Sequence, residues 1–164
     1  MIARKGQFVV ETTKIDEIDR AILRVLKTQG RIGLTDLAAL VGLSASPVAR
    51  RLQRLEDRGI IMGYAALIDE VALGFGISVF VSVKLERQVD DAIAKFEATV
   101  RQLPEVVDCW LMTGNRDYLL RIATSGLAEF ERFLTTSLTR IQGVASIESS
   151  IPLRRVKGDQ ARTG

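Results

Sequence analysis

The feature that most constrains this chain is the tetrapeptide Val41-Gly42-Leu43-Ser44, which separates two short amphipathic stretches and leaves room only for a tight turn. Upstream, Leu34, Leu37, Ala38 and Val41 recur at helical spacing, with Thr35 expected as the N-cap. Gly42 supplies the left-handed residue that ends this helix, Leu43 plugs the corner, and Ser44 caps the next one. That next helix is expected over residues 45–58. Pro47 fits its first turn, where a missing amide loses no partner, and Gly59 ends it. Val48, Leu52 and Leu55 share the inward face. Ser46, Arg50, Gln53 and Arg54 point the other way, with Arg51 and Arg58 on a flank. A preceding helix is marked by Ile15, Ile18, Ile22, Val25 and Leu26 on one face, with Asp16 capping its start and Gly30 stopping it.

Two short helices joined by a glycine turn, the second with a basic outer face, form a helix-turn-helix. Its second helix enters the major groove of double-stranded DNA, where Arg and Gln read base edges and Ser meets phosphates. The candidate DNA-facing residues are Thr35, Ser44, Ser46, Pro47, Arg50, Arg51, Gln53 and Arg54. Charge agrees. Residues 1–64 carry 11 Lys/Arg against 7 Asp/Glu, whereas residues 65–164 carry 12 against 13, so the basic surplus a polyanion requires sits in the first third. An ordinary solvated basic face would explain the arginines alone, but not the turn and the short helix before them.

Composition excludes several classes. The chain has no histidine, which removes His-based triads and His-ligated metal sites, and no acidic pair stands at telling spacing. The single cysteine, Cys109, lacks a His to activate it, forms no internal disulfide, and is expected to be a small buried hydrophobe in a reducing compartment. No catalytic residue, metal or cofactor is therefore expected, and the chain is not expected to be an enzyme. No apolar run approaches the roughly 18 residues of a membrane span, and the first ten residues do not resemble an export signal. A cytoplasmic, nucleoid-associated location is expected.

The remaining two thirds change period. Residues 60–68 are extended in character, and Gly74-Phe75-Gly76 punctuates before a β run at 77–85. A helix is expected at 90–103, ended by Pro104, then strands at 106–112 and 117–123, a helix at 127–138 and a strand at 144–153. This βαββαβ order describes four antiparallel strands with both helices on one face. The bare face is expected to pair with a second copy. Trp110 is expected to be a packing residue, and the cations after Leu153 to lie in a solvated tail. The whole reads as an α+β chain. Residues 1–14 form an arm, 15–62 a winged-type helix-turn-helix, 63–76 a linker strand, 77–157 a ferredoxin-like domain and 158–164 a tail.

With both halves read, the sequence closely resembles the Lrp/AsnC family of feast/famine, or leucine-responsive, regulators. The resemblance rests on Ile15-Asp16-Glu17-Ile18-Asp19, Gly30-Arg31-Ile32, Leu37-Ala38, Val41-Gly42-Leu43-Ser44 and Arg51-Leu52-Gln53-Arg54-Leu55-Glu56. It continues through Gly59-Ile60-Ile61, Gly63-Tyr64 and Gly114-Asn115-Arg116-Asp117-Tyr118-Leu119-Leu120, and covers about residues 15–157. It implies a DNA-binding transcriptional regulator, a homodimer assembling into tetramers or octamers, with a small-molecule effector, an amino acid, bound between dimers. The implied effector residues are Leu111, Gly114, Asn115, Asp117 and Tyr118, with Ser150, Ile151 and Pro152 on the last strand. Asn115 stands where the family has an acid, which removes a charge from the ammonium side. Arg116 beside it would favour an extra acidic group on the ligand. The alternative is a ligand-independent, architectural DNA-coating protein.

Overall fold

A computed structural model describes residues 15–87 and 89–157. The arm and the tail expected at residues 1–14 and 158–164 lie outside the described residues. The chain divides into two compact units, the first ending at Ala66 and the second running from Leu67 to Lys157.

The first unit holds α1 (Glu17–Thr28), α2 (Leu34–Leu40) and α3 (Ala45–Asp57) around a small aliphatic core of Ile22, Leu37, Ala38, Val48 and Leu55. A capping box fixes the start of α1. The Asp19 N–H donates to Asp16 at 2.8 Å, and the Asp16 N–H reaches back to Asp19 at 3.4 Å. Gly42 (φ 70°) and Gly59 (φ 66°) take the left-handed conformation expected after α2 and α3. Thr35 does not cap α2. Gly33 occupies that position, with no side-chain bond, because the helix begins at Leu34, the first residue of the apolar series and two residues before a cap at Thr35 would start it. Ser44 stands at the N-cap of α3 as expected, although its hydroxyl makes no capping bond.

The second unit holds β1 (Ile77–Leu85), α4 (Asp90–Val100), β2 (Val106–Leu111), β3 (Tyr118–Thr124), α5 (Leu127–Thr136), a 3₁₀ turn at Leu138–Arg140, and β4 (Val144–Ser150). The sheet is antiparallel in the order β2-β3-β1-β4. The side chains of Val79, Val81 and Val83 pair across the sheet with Ile122, Leu120 and Tyr118, and are buried with Phe96, Phe130 and Phe133 of α4 and α5. Residues 78, 80, 82, 119 and 121 alternate to the opposite, helix-free face. Two ends fall short of expectation for a reason visible in the sequence. Pro104 disfavours helix at Leu103, and the chain leaves α4 after Val100 through tighter turns in which the Gln102 and Leu103 N–H groups donate to Thr99 and Val100; Pro152 has no N–H for a ladder, and β4 stops at Ser150.

The linker strand expected at residues 63–76 is not a strand. Residues 62–69 carry no regular structure and 70–74 form turns. An extended segment becomes a strand only when another backbone pairs with it, and none does so among the described residues. Instead Arg121 fastens the turn to the helix-free sheet face. Its guanidinium meets both oxygens of Glu70 at 2.9–3.0 Å and Asp108 at 2.8 Å. The hydrogen-bonded Glu70 carboxylate, then Asp108, hold that guanidinium well above its ordinary pKa. Periodicity carries no signal for a pair 51 residues apart. No helix among the described residues is long and apolar enough to cross a membrane.

Candidate DNA and effector sites

The outer face of α3 presents Ser46, Arg50 and Gln53 to solvent, with Pro47 half-buried beside them, and the Gln53 amide donates to Asp57 at 2.9 Å. Thr35 is exposed in the first turn of α2, and Ser44 is exposed at the head of α3. Arg50 makes no ion pair among the described residues. Arg54 is exposed and Arg51 half-buried, in keeping with the outward and flank positions that spacing gave them, but both are engaged by acids of α1. Arg51 Nη1 binds Asp19 at 2.8 Å and Asp16 as well, and Arg54 Nη2 binds Asp19 at 2.7 Å. A helical wheel reports where the Cβ points, whereas a long guanidinium side chain turns toward the nearest buried anion. Asp16 and then Asp19 raise the Arg51 pKa. Below α3, the Tyr64 hydroxyl donates to Glu56 at 2.8 Å, and partial burial and that carboxylate push its pKa up to about 12.

The expected effector residues do not converge within one chain. Gly114 (φ 113°) and Asn115 are exposed at the tip of the β2–β3 hairpin, which the Met112 N–H closes on the Asp117 carbonyl at 2.8 Å. Leu111 is exposed at the end of β2. Asp117 and Tyr118 turn inward. The Asp117 carboxylate accepts the Leu85 N–H at 2.6 Å, just past the end of the β1–β3 ladder. Tyr118 stacks its ring on Phe96 at 4.5 Å and donates to Glu97 at 3.1 Å. Burial, with Glu97 beside it, raises the Tyr118 pKa. Arg116 lies over the helix-free face, donating to Ser146 at 2.8 Å and Glu148 at 2.6 Å, so its charge is already answered within the chain. Ser150 pairs with Phe80, and Ile151 and Pro152 continue away from the hairpin. At about 3.3 Å per residue, the five positions from Phe80 to Leu85 set the two groups roughly 16 Å apart along the sheet.

Two other expectations change. Cys109 is exposed rather than buried, and partial burial of its thiol, with Glu97 nearby, pushes its pKa up to about 11, which keeps it protonated near neutrality. Trp110 is 44% exposed on the helix-free face, so it does not pack into this chain's own core. Among the described residues, no cluster of His, Cys, Asp and Glu is suited to hold a metal.

Comparison with known proteins joins the two units under one description. Residues 15–56 match the AsnC-type helix-turn-helix domain, and residues 78–161 match the Lrp/AsnC ligand binding domain. The chain belongs to the Lrp/AsnC family of transcriptional regulators. It is 47% identical to the Bkd operon transcriptional regulator of Pseudomonas aeruginosa, over 87% of this chain and 94% of that one. It is 37% identical to a leucine-responsive regulatory protein of Rhizobium meliloti, over 91% and 96%. Among solved structures, a Neisseria meningitidis transcriptional regulator in complex with L-methionine superposes with TM-score 0.84 at 38% identity, covering 88% of this chain and 94% of that one. A Mycobacterium tuberculosis feast or famine regulatory protein complexed with L-methionine gives 0.79 at 33%, covering 92% and 100%. The Lrp/AsnC fold, a helix-turn-helix followed by an antiparallel sheet with helices on one face, is the one described above, and the family is one of regulators, not enzymes.

Proposed function

We propose that this Lrp/AsnC regulator works in the cytoplasm as a homodimer or higher oligomer, inserts α3 of each copy into a DNA major groove, and adjusts its DNA affinity when an amino acid binds. The observation that carries the DNA half is the exposed Ser46, Arg50 and Gln53 face of α3, where Arg50 has no ion-pair partner among the described residues. The effector half is supported by the L-methionine complexes of two structural relatives. The separation of the Gly114 hairpin from Ser150, Ile151 and Pro152 within one chain also supports it, since a pocket drawing on both groups needs more than one copy. The exposed, partly apolar sheet face around Trp110 supplies a surface for pairing. Coupling between effector and DNA is reciprocal, so each ligand alters affinity for the other by the same factor.

Thermal stability against a panel of the twenty amino acids, L-methionine first, tests the effector half. A ligand that binds only the folded state stabilises by about 2.7 kcal/mol at a hundredfold excess over Kd. A shift with one or two amino acids, accompanied by a change in DNA affinity, is the expected result. Asn115 in place of an acid and an Arg116 already paired to Glu148 favour a second reading, a ligand-independent architectural protein. A silent panel together with weak sequence preference would select it.

A further inference from the structure

We propose that Asp19 is a positioning residue for DNA reading. Its buried carboxylate holds Arg51 and Arg54 of α3 against α1, which leaves Arg50 as the cation of α3 that reads the groove. The proposal rests on the DNA-binding reading above.

Asp19 is 2% exposed, yet each of its oxygens receives a different guanidinium, Arg51 at Oδ1 and Arg54 at Oδ2. Arg51 is braced a second time by Asp16, the residue that caps α1, and the same Asp19 completes that cap. One carboxylate therefore joins the start of α1 to two turns of α3. Withdrawing either arginine to meet a phosphate would leave a buried anion short of its counter-charge, the most unfavourable state of such a network. Arg51 and Arg54 also balance the two carboxylates they touch, so this patch offers DNA little net charge. Arg50 lies about 40° around the helix from Arg54, beside Ser46 and Gln53 on the exposed face, with no acid paired to it among the described residues.

The test uses the full-length protein, a duplex it selects from a random library, and poly(dI-dC) as the non-specific competitor. Affinities of Asp19→Asn, Arg50→Ala, Arg51→Ala, Arg54→Ala and Asp19→Asn/Arg54→Ala are measured across a salt series. Arg50→Ala is expected to weaken the selected duplex roughly tenfold or more and to relax base preference at one position. Arg51→Ala and Arg54→Ala are expected to leave the slope of log K against log salt unchanged. Asp19→Asn removes the negative charge that answers Arg51 and Arg54, so it should hold or raise poly(dI-dC) binding while lowering the selected-to-non-specific ratio. The double variant should lower that ratio no further than Asp19→Asn alone. A slope that falls by about one for Arg51→Ala or Arg54→Ala shows a direct phosphate contact and overturns the proposal. Those two salt slopes decide the matter even where Asp19→Asn fails to fold. A wild-type protein that selects no sequence would overturn the DNA-binding reading itself.

Discussion

Each unit buries an aspartate, and the two solve the same problem differently. In the helical unit Asp19 is answered by guanidiniums from another helix. In the sheet unit Asp117 accepts the Leu85 backbone N–H at the rim of a sheet. The cores differ in the same sense. Ile22, Leu37, Ala38, Val48 and Leu55 give the helical unit little apolar mass, whereas the sheet unit buries Phe96, Tyr118, Phe130 and Phe133 together with a row of valines. The helical unit thus sets an ionic brace beside its small apolar core, and the bracing arginines lie on the same helix as the exposed Ser46, Arg50 and Gln53.

The largest expected effect lies in the sheet unit. Phe96→Ala removes a fully buried ring stacked on Tyr118 and should cost about 3–5 kcal/mol, read as a shift of the unfolding midpoint followed by the single tryptophan, Trp110. Asp19→Ala should cost about 3 kcal/mol, the low end for a broken buried pair because both guanidiniums reach solvent. Loss of helix signal by circular dichroism ahead of the Trp110 transition would show that the damage is confined to the helical unit. A negligible cost would remove the contrast between the two cores. Asp117→Ala leaves the Leu85 N–H without its acceptor and should cost about 1–3 kcal/mol, less than Asp19→Ala; the reverse order would show that the amide-bound aspartate is the more important one. Gly42→Ala meets nothing within 4 Å, so its cost of about 1 kcal/mol should come from backbone conformation alone.

The smallest effect is acid sensitivity, and it compares the two units directly. Asp16 is held below its ordinary value of 3.8 by the Asp19 N–H and Arg51. Glu129 is held below 4.5 by the Ser125 hydroxyl and N–H. A carboxyl with a depressed folded pKa stabilises the fold above its ordinary value, and that contribution is lost as pH falls through the folded value. Unfolding midpoints should therefore decline below about pH 4. Asp16→Asn should flatten the decline in the helix signal, and Glu129→Gln the decline in the Trp110 signal. Variants whose acid profiles match wild type would rule out these two carboxyls as its source.

The sequence by itself determined the order of elements, the Gly42 and Gly59 helix ends, the bounds of β1, and the family. Each follows from residues close together along the chain: period, capping chemistry and the φ freedom of glycine are local. Only the tertiary structure decided that Arg51 and Arg54 turn to Asp19, that Tyr118 and Asp117 point inward, that Arg121 fastens Glu70, and that the Gly114 hairpin stands away from Ser150. These outcomes depend on partners from 21 to 51 residues away, and on long side chains free to choose among them. No periodicity records such a choice, because it is settled by which charge or amide lies buried nearby once the helices and strands have packed.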